Sequence, residues 1–166
     1  MANHCMNWIN VYSYGMDMTA LGETIAEAIQ TNETGSGWLP EGDEVGLDYP
    51  HYLFDISDYT QDKGYASWNC WTKWSPPLEE LCKLSARFMG FEFHLEWDES
   101  GMGLYGRCVI KDGAVQHLIE LDDKDLAQVT WDNKEGVFLW RKEDGSVEAW
   151  ESDSNIFSEM LDNKEK

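Results

Sequence analysis

A chain of 166 residues has the length of one domain, and with 42% hydrophobic and 13% aromatic residues it can bury a substantial core. Lys and Arg number 12 against 32 Asp and Glu, so the formal net charge of −20 sets nucleic acid and anionic membrane against the chain as direct partners. The start has neither the basic nor the apolar region of a secretory signal, and no run approaches the ~18 apolar residues of a membrane span, so a cytoplasmic protein is expected.

Residues 8–14 (WINVYSY) are rich in aromatic and β-branched side chains and read as a first strand, which Gly15 breaks. Asp17 is placed to cap a helix on which Met18, Leu21, Ile25, Ala28 and Ile29 form one apolar stripe, ending near Thr31. Residues 32–50 hold four glycines, two prolines and five acids, the composition of a loop, and a loop this long is a candidate functional segment. Residues 52–56 read as a short second strand, closed by polar residues 57–64.

The best-specified stretch is 67–98. Trp68, Cys70, Thr72 and Trp74 alternate with their neighbours and read as the core face of a strand. Pro76 and Pro77 stop it, Ser75 is the expected N-cap of the next helix, and Glu79 and Glu80 suit the positive helix end. Leu78, Leu81, Cys82, Ser85, Phe88 and Met89 fall on one helical face before Gly90 ends it. The return strand puts Phe91, Phe93, Leu95 and Trp97 on one face and Glu92, His94, Glu96 and Asp98 on the other. The order βαββαβ is the split unit of a ferredoxin-like α+β fold, with an antiparallel sheet and both helices on one face.

After residue 101 the pattern changes to strands on either side of Asp112-Gly113 and of residues 143–146, which are hairpin signals. Asp122, Asp123 and Asp125 surround a short helical turn, and Ser154 or Asp153 is expected to cap a last helix carrying Ile156, Phe157, Met160 and Leu161. The predicted division is therefore 1–101, a ferredoxin-like sandwich, and 102–166, an antiparallel meander with a terminal helix, together one compact domain.

The run Cys70-Trp71-Thr72-Lys73-Trp74-Ser75-Pro76-Pro77, with Leu84-Ser85, Phe88, Phe91-Glu92-Phe93, Glu99-Ser100-Gly101 and the opening Met1-Ala2-Asn3-His4-Cys5, resembles the YubB-like (Api-type) proteins of bacteriophages and plasmids. The resemblance covers the N-terminal two thirds and implies a ferredoxin-like fold. It brings no assigned function and no catalytic or ligand residue.

Chemistry is sparse. Cys5, Cys70, Cys82 and Cys108 match no metal-ligand spacing, even with His4 and His94 added, and read as buried thiols; no metal or cofactor is expected. His94 between Glu92 and Glu96 is the one position with the makings of a carboxylate–histidine site, against the commoner outcome of a solvated histidine. His117, at a hairpin, reads as surface. Trp68, Trp74 and Trp97 read as core, whereas Trp71, Trp131, Trp140 and Trp150 are less well placed, and any exposed together would form a binding hot spot.

Two functions stay open. In the first, the protein is a non-enzymatic counter-defence inhibitor, of anti-CRISPR or anti-restriction type, binding a basic nucleic-acid-binding surface of a host protein, with or without mimicry of nucleic acid. Its contact residues would be Glu92, Glu96, Asp98, Glu99, Asp122, Asp123, Asp125, Trp71 and Trp131. In the second, a small-molecule or nucleotide-binding domain, with or without enzymatic activity, uses the 32–50 loop and the His94 face.

Overall fold

A computed structural model describes residues 4–33 and 54–165. The 32–50 loop lies outside them apart from its first two residues, which belong to a helix. The elements run β1 (His4–Tyr12), α1 (Thr19–Glu33), β2 (Phe54–Asp62), β3 (Tyr65–Lys73), α2 (Leu78–Arg87), β4 (Glu92–Glu99), β5 (Leu104–Lys111) and β6 (Ala114–Glu120). They continue with α3 (Asp123–Leu126), β7 (Val129–Asp132), β8 (Val137–Arg141), β9 (Val147–Trp150) and α4 (Asp153–Lys164). A six-stranded antiparallel sheet has the order β2-β3-β1-β4-β5-β6, and a three-stranded one the order β7-β8-β9. Within the first, β2-β3-β1-β4 is the order that the split βαββαβ unit requires.

The period-two rule decides which side of the sheet is covered. Cys5, Ile9 and Val11 of β1, Ala66, Trp68 and Cys70 of β3, Phe93, Leu95 and Trp97 of β4, and Cys108 and Ile110 of β5 all face one way and are buried. Met18, just before α1, with Leu21, Ile25 and Ala28 of α1 and Leu81 and Leu84 of α2, closes this core. A second core of Tyr105, Leu121, Trp140, Ile156, Phe157, Met160 and Leu161 lies under α4.

Several local expectations change. The first strand starts at His4, because the alternation of buried and half-buried residues begins there. The polar residues 57–62 continue β2, pairing with β3 through two register shifts and a positive φ of 55° at Asp58. An edge strand has little to bury, so its polarity is no bar to pairing. Ser75 does not cap α2: Pro77 holds the N-cap position with no side-chain bond, while the Thr72 hydroxyl donates to the Ser75 carbonyl at 2.6 Å. The helix stops at Arg87, leaving Phe88 half-buried and Met89 exposed. Ser152, not Ser154 or Asp153, is the N-cap of α4, and its side chain makes no cap bond. Trp74 leaves the core altogether, since a φ of 71° turns the chain out of the strand and leaves the side chain 48% exposed. Trp140 goes the other way and is buried under α4.

A polar network pins the end of the β1–β3 ladder. The Asn7 amide, itself buried, donates to the Cys70 carbonyl at 3.2 Å and to the Thr72 hydroxyl oxygen at 2.9 Å. Burial pushes the Cys5 and Cys108 thiols up to about 12 and raises Cys70 as well. These thiols are neutral and poor nucleophiles near neutral pH. In the unfolded chain they ionise near ~8.5, so the native state binds more protons above that value. The stability that their burial supplies is fully present below about pH 8.5 and is lost as pH climbs toward their folded values. Thermal unfolding is expected to show a midpoint that falls progressively above about pH 9; a midpoint that stays level to about pH 11 contradicts this.

Candidate binding face

Both crossover helices pack on one side of the six-stranded sheet, because each has a single apolar stripe. Among the described residues, the opposite face is covered toward β5 and β6, where α4 lies across it. Register fixes what that open face presents. Reading from β3 through β1 and β4 to β5, one row is Trp71, Met6, Asp98 and Tyr105; the next is Asn69, Trp8, Glu96 and Arg107. The following rows are Ser67, Asn10, His94 and Val109, then Tyr65, Tyr12, Glu92 and Lys111. Glu92, Glu96 and Asp98 thus form one column with His94 among them, as the alternation of β4 requires.

The lower end of that column is internally bonded. A Glu92 oxygen lies 2.7 Å from His94 Nε2 and accepts from the Tyr14 hydroxyl at 2.9 Å, with Lys111 Nζ at 3.8 Å. The His94 bond is the main reason that the Glu92 carboxyl sits below the usual range, ahead of the opposing effect of burial. The Tyr12 ring stands edge-on to His94 at 5.1 Å and beside Tyr65 at 5.4 Å, and the Tyr65 hydroxyl donates to Asn10 Oδ1 at 2.7 Å.

Arg107, opposite Glu96 in register, turns to α4 instead. Its guanidinium donates to Asp162 Oδ1 at 2.6 Å, to the Ser158 carbonyl at 3.1 Å and to Glu165 at 3.3 Å. Two clefts meet where α4 leaves the sheet. One, of about 290 Å³, is lined by Trp8, Asn10, Glu96, Asp98, Tyr105 and Phe157 among others. The other, of about 280 Å³, shares Asn10 and Glu96 with it and adds His94, Arg107, His117 and Glu165.

The predicted contact residues divide. Glu92, Glu96, Asp98 and Trp71 share the open face, and Trp71 is 36% exposed. Glu99 does not belong there: it is 1% exposed, and its carboxylate accepts from the Met102 backbone N–H at 2.6 Å. The same alternation that exposes Asp98 turns Glu99 inward. Asp122 and Asp125 form a reciprocal capping box on α3, and Asp125 is ion-paired with Lys164, so their charge is used locally. Asp123 is exposed on α3, while Trp131 stands in the second sheet, 48% exposed and edge-on to Phe138 at 4.7 Å. Trp8, Asn10, Tyr12 and Arg107 were missing from the sequence-based set. The strand period of β1 marks the first three, whereas the approach of α4 to Arg107 depends on a contact between distant segments.

Among the described residues, no group of three or more His, Cys, Asp and Glu side chains is arranged to hold a metal ion. Nor, among them, is any helix long and apolar enough to cross a membrane. Fold and face together define an α+β protein of the ferredoxin-like type, with one sheet face largely open among the described residues. The family model of the ferredoxin-like domain in Api92-like proteins matches residues 53–141, and the chain belongs to that family. The match begins just before β2 and ends with β8. No curated protein and no solved structure matches the chain.

Proposed function

We propose that the protein acts without chemistry, as an acidic docking protein that occupies a basic, nucleic-acid-binding surface of a host defence or nucleic-acid-handling protein. The observation that carries this reading is the β4 column of half-exposed Glu92, Glu96 and Asp98, on a face that α4 leaves open among the described residues and that also presents Trp8, Tyr12 and Trp71. Acids draw a basic partner in, and aromatic side chains supply buried contact once it arrives. The chain's net charge of −20 extends the same field beyond the face. The likeness to proteins of phages and plasmids supports this role, since such elements commonly encode small acidic inhibitors of host defence.

Affinity capture from cells carrying the mobile element tests the reading. The wild type is expected to retain a basic nucleic-acid-handling protein that a Glu92→Lys, Glu96→Lys, Asp98→Lys variant does not. Equal retention by both would sink it. The protein itself is expected to show no measurable binding to duplex or single-stranded DNA at physiological salt, because phosphate neutralisation supplies most non-specific affinity. Salt-sensitive micromolar binding in an anisotropy titration contradicts that.

The cleft at His94 favours a second reading, a small-molecule or nucleotide-binding domain in which His94, Asn10 and His117 supply the polar contacts. Turnover or binding of a small molecule that His94→Ala abolishes would select it over docking.

A further inference from the structure

The larger of the two clefts under α4 combines aromatic walls with carboxylates. Trp8 lies directly across the ladder from Glu96, and Tyr105 and Phe157, with ring centroids 3.8 Å apart, line the cleft with them. Asp98 lines the same space, and Asn155 and Ser158 of α4 add polar groups at its rim. Arg107, across the ladder from Glu96, does not answer it: Arg107 is held by Asp162, Glu165 and the Ser158 carbonyl, and among the described residues Glu96 has no ion pair.

These features select a ligand by exclusion. An anion would meet the Glu96 carboxylate, and a neutral apolar group would leave that carboxylate desolvated and unpaired. A cation gains from both the Glu96 carboxylate and the indole face. Between the two common protein cations, the guanidinium is the better fit. It is flat, weakly hydrated, stacks on aromatic rings and presents a fork of donors to a carboxylate, whereas an ammonium keeps its water more tightly. The cleft, about 290 Å³, is too small to enclose a folded element and suits one extended side chain.

We infer that this cleft is an arginine-specific pocket that captures one arginine side chain of the partner, stacked on Trp8 and paired with Glu96; the inference rests on the docking reading and names its anchor. The β4 column then steers the encounter, and the pocket fixes the register of the bound surface.

The test is an NMR titration of the full chain with a short tetra-arginine peptide and its tetra-lysine counterpart at equal ionic strength. The arginine peptide is expected to shift the Trp8 indole and Glu96 amide signals saturably and to bind several-fold more tightly than the lysine peptide. Glu96→Gln and Trp8→Leu should each weaken the arginine peptide about tenfold while leaving the folded spectrum intact. Shifts spread evenly over all acidic residues, equal affinity for both peptides, or indifference to both substitutions would each overturn the pocket. The two proposals fail separately. A basic partner that binds in a salt-dependent way yet ignores Glu96→Gln and Trp8→Leu removes the pocket and keeps the docking reading. Arginine binding at Trp8 with no basic partner captured keeps the pocket and removes the docking role.

Discussion

Gly106→Ala is expected to destabilise the protein severely. Gly106 is buried in β5 directly across from Trp97, and a Cβ there would collide with Cζ2 of the Trp97 ring and stand 2.7 Å from its Cε2 and 2.8 Å from the Ile119 carbonyl oxygen. Neither neighbour is free to move. Trp97 is among the largest fully buried side chains in the core, and the Ile119 carbonyl belongs to the adjacent strand. The added methyl must therefore push the indole out of its rotamer or part the β5–β6 ladder. Overpacking of a tight core costs about 1–3 kcal/mol and occasionally more, and a loss at or above the upper end of that range is expected here. The backbone at Gly106 needs no positive φ, so the cost is steric. Urea unfolding measures it, and Trp97→Leu in the Gly106→Ala background should recover part of the loss, a coupling that a double-mutant cycle reads directly. A Gly106→Ala protein of unchanged stability would mean that Trp97 is not packed against β5.

The second large effect concerns association. Replacing Glu96 and Asp98 with lysine reverses the charge at the centre of the open face, and the rate of encounter with a basic partner is expected to fall about tenfold or more at low salt. Asp98→Lys alone should change dissociation less, because steering acts before contact, whereas Glu96→Lys should also speed dissociation, because it removes the carboxylate that pairs with the captured arginine. Trp71→Ala should do the opposite of Asp98→Lys, costing about 2 kcal/mol and acting mainly through faster dissociation, if the indole is an anchor of the interface. Glu99 has no place in this series. Reversing an acid that is buried and bonded to the Met102 backbone would test folding, not recognition.

How much of this was legible depended on the range of the interactions involved. The alternation of β4 is visible in its residues, and with it the acidic column and the inward face of Phe93, Leu95 and Trp97. The ferredoxin-like order followed from two amphipathic helices set between strands. Residues 57–62 misled because an edge strand needs only backbone partners, and those of β2 lie on β3 rather than in its own side chains. Trp74 misled because strict alternation was carried one residue too far, past the point where a φ of 71° breaks it. Glu99 was placed outside by its neighbours' charge, although the strand period already put it inside. The clefts were invisible for a different reason. They exist only because Arg107, Tyr105 and α4 meet, and nothing in the local pattern of 153–164 says which face that helix covers.

The docking account is tested most directly by competition. A captured basic partner would be loaded with a fluorescent DNA or RNA duplex and titrated with this protein at rising salt. Displacement of the duplex at near-stoichiometric protein, weakening steeply as salt rises and lost in the Glu96→Lys, Asp98→Lys variant, is the predicted result. A ternary complex in which partner, duplex and this protein coexist, with affinity indifferent to salt and to the lysine variant, would contradict it.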